Sequence, residues 1–237
     1  MSQNIKWILQ NIASLSLLVP LVFYLFFQKK NNSKELRVIF FYLIYCVLNE
    51  AVGFYFHRIK AASEFNTLFD IFTVVEYCFF SYFFYLIITT KHIKKLLLPV
   101  AVAFTAFAII DHFFIPSSSL TSGLQPVLII SMCIYYFFDQ LKQTNTFLIT
   151  STNFWIIISF LIYISGTFFL YIMYENTAHD RAFLTLYIII NSSFNILKNI
   201  LLSIAMLMKS RVPDQNTFPE DTFNADWDNF RTLKNQN

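Results

Sequence analysis

Polar and ionisable side chains interrupt the last long apolar run of this 237-residue chain. Residues 190–200 read "INSSFNILKNI", which places Asn191, Asn195 and Lys198 at helical spacing. Residues three or four positions apart share one face of a helix, so these three side chains line one face. Burying polar groups in a membrane-crossing helix costs free energy, so they are rare there and usually face the bundle interior. Such residues are therefore candidates for a functional role. We therefore predict that this face belongs to a buried polar site.

Two earlier apolar runs supply carboxylates that could complete the site. Glu50 lies in the second run, and Asp70 and Glu76 lie in the third. Desolvation disfavours an isolated charge, whereas an opposite charge nearby favours it. We therefore predict that Lys198 pairs with Glu76, with Glu50 as the second choice. Such a pair would either form a ligand or proton site or lock the helices together, since breaking a buried pair is destabilising in both cases.

The composition places these residues in a membrane protein. The chain is 57% hydrophobic and only 13% charged, whereas a soluble domain carries about 25% charged residues. A bilayer crossing needs about 20 helical residues. Seven stretches qualify, at 8–27, 38–58, 68–88, 96–115, 124–141, 154–174 and 183–208. No run alternates as the strands of an outer-membrane barrel do, so the predicted fold is all-α, a bundle of seven transmembrane helices over residues 1–211.

Basic residues between the spans predict the orientation of the bundle. One side holds the smaller set Lys6, Arg58, Lys60 and Arg181. The other side holds the larger set Lys29, Lys30, Lys34, Arg37, Lys91, Lys94, Lys95, Lys142, Lys209 and Arg211. Basic loops stay cytoplasmic, so we predict an outside N-terminus and a cytoplasmic C-terminus. The bundle would lie in the cell membrane, which is the inner membrane if the organism is bacterial.

Glycine is scarce in the predicted bundle, with Gly53, Gly123 and Gly166 as its three members. Close helix crossings in membranes use small residues, so we expect the helices to pack through bulky side chains. We also do not expect broken helices with unwound binding segments, which often contain glycine or proline.

The first three and last three spans share an order of landmarks that could reflect an internal duplication. The matched pairs are Pro20 with Pro126, Gly53 with Gly166 and Glu76 with Asn191. With the fourth span as a connector, this predicts a 3+1+3 parallel repeat. The alternative is that aromatic-rich apolar helices align by chance.

In helix number, length and direction the chain resembles small solute carriers built as 3+1+3 repeats. Those carriers have a Pro-Gln dipeptide, whereas this chain has "LQPV" at 124–127, so the resemblance assigns no residue a role. The segments "NTLFDIFTVVEY" and "NSSFNILKN" also resemble uncharacterised bacterial families of seven-helix membrane proteins. That second resemblance implies membrane location but no known activity.

Further polar residues gather where the predicted spans end on the outer side. They are His57, Asp111, His112, Glu175, His179 and Asp180. Their spacing lacks close ligand pairs, so we interpret them as polar helix ends, and a metal or pH-sensing site is the alternative. We predict no metal and no cofactor. Motifs for hydrolysis or nucleotide binding are also missing, so we predict no enzymatic activity and no nucleic-acid partner.

Residues 212–237 form a polar, acidic segment that we predict to be a cytoplasmic tail, mostly disordered. Phe223, Trp227 and Phe230 recur at helical spacing and could form one short amphipathic helix that binds a cytoplasmic protein. The sequence as a whole favours a carrier that binds a small polar solute or a proton in the bilayer. The alternative is a membrane sensor or scaffold that signals to a cytoplasmic partner through the tail.

Overall fold

The computed structural model describes residues 3–27, 33–59, 61–114, 120–142, 148–177 and 180–208, and these are helical almost throughout. The helices are α1 (Gln3–Ser16), α2 (Leu18–Phe27), α3 (Lys34–Arg58), α4 (Ala62–Ile87), α5 (Lys91–Phe114), α6 (Leu120–Leu141), α7 (Thr152–Thr177) and α8 (Arg181–Leu207). A short 3-10 helix, Leu148–Thr150, precedes α7. The predicted tail, including Phe223, Trp227 and Phe230, lies outside the described residues.

Seven helical stretches of this described part are long and apolar enough to cross a membrane. They are α1 together with α2, and each helix from α3 to α8. The prediction of an all-α protein with seven such helices is therefore confirmed. Its orientation in a membrane and its internal repeat stay predictions.

The first span is interrupted near its middle at one residue, Leu17, which is not an unwound segment of the kind that we did not expect. α1 ends at Ser16 and α2 begins at Leu18. The Leu17 N–H donates to the Ser14 carbonyl at 3.3 Å, a bond one residue shorter than in an α-helix. Pro20 explains the break, because it has no N–H to donate to the Ser16 carbonyl and its ring crowds that group.

The spans follow one another around a closed bundle. α3 packs against α2 and α4, α4 packs against α5 and α6, and α7 packs against α6 and α8. α8 closes the ring against α1 and α2. We call the end that holds the starts of α1, α4, α6 and α8 the N-side, and the opposite end the C-side.

Aromatic side chains fill the core between the C-side and the middle of the bundle. The Phe80 and Phe160 rings meet edge to face with centroids 4.4 Å apart, and both lie against Tyr42. All three side chains are buried. Such edge-to-face pairs are favoured by the charge distribution of the rings, so α3, α4 and α7 are held together below the polar residues described next.

α6 begins four residues earlier than the predicted span, so Pro126 lies inside the helix and not in its first turn. Asp111 explains the earlier start. Its buried carboxylate accepts hydrogen bonds from the Thr121 N–H at 3.3 Å and the Thr121 hydroxyl at 2.6 Å. A carboxylate at a helix start satisfies free N–H groups there, so α5 caps α6 on the N-side.

Candidate functional site

Glu76 is the central acidic group of the bundle and lies near the middle of α4. Its Oε1 accepts a hydrogen bond from the Tyr42 hydroxyl at 2.7 Å, and its Oε2 accepts one from Gln125 Nε2 at 2.7 Å. Tyr42 and Gln125 are buried, and Glu76 is half-buried. Both oxygens of the carboxylate are thus held by donors from α3 and α6, which fixes its orientation.

A small cleft opens beside this carboxylate, between α4, α6 and α7. Thr73 and Glu76 line it from α4, Ser122 and Gln125 from α6, and Tyr163 from α7. The space open to the centre of a water molecule is about 30 Å³, which accommodates about two water molecules. The cleft therefore offers a carboxylate, hydroxyl groups and an amide to a very small guest.

Lys198 does not form the ion pair that we predicted with Glu76 or Glu50. Within the described residues its ammonium makes no salt bridge, and Nζ lies 4.2 Å from the centroid of the Tyr163 ring. The side chain is only 4% exposed. The Glu76 and Glu50 carboxylates lie within electrostatic range of it. Tyr163 therefore lies between the Lys198 side chain and the cleft, and Lys198 and Glu76 are not in contact.

Glu50 is exposed and lies outside the cleft, so the prediction that it joins Glu76 in a buried site is wrong. Its Oε2 accepts a hydrogen bond from the Ser14 hydroxyl at 3.2 Å. This contact links α3 to α1 on the N-side half of the bundle. Cys46, one turn earlier on α3, is buried.

Asn199 links the polar face of α8 to the first span. Asn199 Nδ2 donates to the Ser16 hydroxyl at 2.7 Å, and it lies 3.5 Å from Asn195 Oδ1. The amide oxygens of Asn191 and Asn199 are buried and accept no hydrogen bond from any described group. On the predicted polar face of α8, Asn199 therefore contacts α1, whereas Lys198 contacts Tyr163 of α7.

Asp70 lies apart from these groups, contrary to its assignment to the buried site. Its Oδ2 lies 2.8 Å from His112 Nδ1 of α5, and both side chains are at least one-third exposed. Asp111 caps α6, and Asp180 caps α8 by accepting from the Ala182 N–H at 2.8 Å. Asp111, His112 and Asp180 therefore lie at helix ends, as we interpreted them. The side chains of His57, Glu175 and His179 lie outside the described part.

Three residues of the site were missed from the sequence: Tyr42, Gln125 and Tyr163. Tyrosine is common in this chain, so no single tyrosine stands out. Gln125 had a usable signal, because a buried amide inside an apolar run must find a partner. Its place beside Pro126 entered the sequence analysis only as a departure from the Pro-Gln order of small solute carriers.

No protein-family model, curated protein or solved structure matches this chain. The resemblances drawn from its sequence therefore stay predictions. The case for a function depends on the geometry of its buried polar groups.

Proposed function

We propose that this protein is a carrier of a proton or a small polar solute across a cell membrane, with Glu76 as the group that binds the cargo. One observation carries the proposal: the cleft at Glu76 lies where the first three spans meet the last three. Its walls come from α4 on one side and from α6 and α7 on the other. Transporters built from repeats place their binding sites at such an interface near the middle of the membrane.

The chemistry of the cleft suits a proton or a small cation-like group. A carboxylate that accepts two hydrogen bonds can also accept a proton or a donor from a guest in the cleft. The space holds about two water molecules, so a proton could reach Glu76 through water in the present conformation. A larger solute needs α4 to move away from α6 and α7.

A repeated proline pattern supports motion of one half against the other. Pro20 and Pro126 each follow a serine by four residues, Ser16 in "SLLVP" and Ser122 in "SGLQP". Proline in a helix leaves the carbonyl four residues earlier without its helical donor and bends the helix. The first and fifth spans, which are equivalent in the proposed 3+1+3 repeat, can thus both bend at a proline. An N-terminus on the outside is part of the same proposal.

The test is proton flux into liposomes that contain the purified protein, followed with an internal pH-sensitive dye under an imposed membrane potential. Glu76→Gln should reduce the flux to the level of empty liposomes, because an amide cannot take up the proton. The fold should survive. Glutamine can accept from Tyr42 and donate to Gln125 once the Gln125 amide is turned over, which limits the loss to about 1 kcal/mol.

Asp139→Asn is the matched control, since it makes the same chemical change outside the cleft. Asp139 accepts hydrogen bonds from Thr89 and Thr90 on the C-side, so this variant should keep wild-type flux. Wild-type flux in Glu76→Gln would refute the role of Glu76. Absence of flux from folded wild-type protein, for protons and for a panel of small polar solutes, would refute the carrier and favour the sensor or scaffold.

A further inference from the structure

The break in the first span leaves a backbone oxygen without its helical donor. Pro20 has no N–H, so the Ser16 carbonyl has lost the donor that an unbroken helix would supply. Ser16 is also the last residue of α1, and the C-terminal end of a helix carries a partial negative charge. The Pro20 side chain is buried. The electronegative end of α1 therefore lies near the middle of the span, four residues before a buried proline.

α8 places more oxygen atoms against this end. Asn199 is 1% exposed, and its Nδ2 donates to the Ser16 hydroxyl at 2.7 Å. Asn199 Oδ1 belongs to the same amide group. That oxygen has no hydrogen-bond partner among the described groups. A buried acceptor in this state is costly, so something absent from the protein chain should satisfy it.

Asn195 adds a further amide oxygen one turn earlier on α8. Its Oδ1 lies 3.5 Å from Asn199 Nδ2, a long contact that leaves the oxygen available. Asn191, another turn towards the N-side, also has a buried amide oxygen that meets no donor in the described part. Residues at this spacing share one helix face. The acceptors thus form a row that leads from the N-side to the end of α1.

We propose that the end of α1 and this face of α8 form a binding site for a monovalent cation, with sodium as the best fit. The ligands are the Ser16 carbonyl oxygen and the amide oxygens of Asn195 and Asn199. The Ser16 hydroxyl donates to the Ala13 carbonyl at 2.6 Å and accepts from Asn199, so it holds the Asn199 amide in place. Hard cations select oxygen ligands. The proposed ligands are neutral, which favours a single positive charge over magnesium or calcium, whose sites contain carboxylates.

The charges around the proposed site are compatible with a cation. Lys198 directly precedes Asn199 in the sequence. Its ammonium lies over the Tyr163 ring of α7, however, whereas Asn199 contacts α1. Glu50 is joined to α1 through Ser14, two residues before Ser16, and it adds negative charge on the N-side approach. The site is separate from the Glu76 cleft, and binding there does not depend on the proposed carrier function.

The test is thermal unfolding of the purified full-length protein in detergent, in sodium, lithium, potassium or choline chloride at equal ionic strength. A ligand that binds only the folded state, present at a concentration of about ten times its Kd, should raise Tm by about 3–6 °C for a chain of this size. We expect this rise with sodium and not with choline. Equal Tm values in all four salts would overturn the proposal and indicate that only water meets the amide oxygens.

Pro20→Ala is the sharpest variant, because it changes no polar side chain. The new N–H can donate to the Ser16 carbonyl and complete the helix, so the variant should fold and lose the sodium-dependent shift. Asn195→Ala is the second variant and should weaken sodium binding at least tenfold. Asn11→Ala is the control, since Asn11 is exposed and bonds only its own helix at Trp7. A full sodium shift in both Pro20→Ala and Asn195→Ala would refute the site.

Discussion

Replacement of Lys198 separates two reasons for keeping a lysine inside a membrane protein. The side chain is 4% exposed, its ammonium lies over the Tyr163 ring at 4.2 Å, and it makes no salt bridge within the described residues. Methionine preserves the unbranched apolar stem and removes the charge. Alanine removes both the stem and the charge. The two variants therefore isolate the contribution of the ammonium from that of packing.

The expected magnitudes follow from these contacts. A desolvated cation over an aromatic ring contributes about 2 kcal/mol, while replacing buried charge by apolar atoms of similar volume often gains about 1–4 kcal/mol. Lys198→Met should therefore lie within about 2 kcal/mol of wild type. Truncating a buried stem of this length to alanine costs about 2–5 kcal/mol. For a chain of this size that corresponds to a Tm about 4–20 °C below the methionine variant.

Thermal unfolding in detergent measures both variants, and proton flux in liposomes measures their activity. A methionine variant as unstable as the alanine variant would refute the reasoning, because the ammonium itself would then stabilise the bundle. A stable methionine variant that has lost flux would assign the lysine to function.

Two further comparisons test the packing and the helix ends, each by thermal unfolding. Gly166→Ala should destabilise the protein by about 1–3 kcal/mol, since an added Cβ would lie 2.4 Å from the Phe194 ring. At Gly53 an added Cβ would lie 3.5 Å from its nearest neighbour, so Gly53→Ala should be neutral or stabilise by about 0.5–1 kcal/mol. Equal effects of the two substitutions would contradict this contact. Asp111→Ala should lower the free energy of unfolding by about 1–3 kcal/mol, because it leaves buried donors at the start of α6 without an acceptor. Asp180 is an exposed cap, so Asp180→Ala should lower it by about 1 kcal/mol. A larger loss of stability in Asp180→Ala than in Asp111→Ala would contradict this expectation.

The seven membrane-length helices were predictable because hydropathy over about 20 residues depends on composition and not on partners. The break in the first span was predictable in principle and was missed. We argued from scarce glycine, although Pro20 alone removes the helical bond that holds Ser16. The early start of α6 was missed for a different reason: its cap, Asp111, comes from the preceding helix, and hydropathy assigns such a polar junction to neither span.

The site was only partly predictable, since a sequence gives the depth of a residue but not the direction of its helix in the bundle. Glu76 and Lys198 have similar depths, and from depth alone an ion pair followed. In the bundle their helices present them to different neighbours, so Glu76 is held by Tyr42 and Gln125 while Lys198 faces Tyr163. The correct face of α8 was found because asparagine spacing is a local property that the helix preserves.

The separation of the two charges bears on what the bundle can do. A direct ion pair between Lys198 and Glu76 would hold both charges in one low-energy state, and breaking it would be strongly unfavourable. Here the carboxylate is held by neutral donors and opens to the cleft, and Lys198 Nζ lies over the Tyr163 ring. Neither charge is neutralised by contact with the other, so a proton or cation that enters the bundle can change the balance between them. A purely structural pair would not need the cleft that opens beside Glu76.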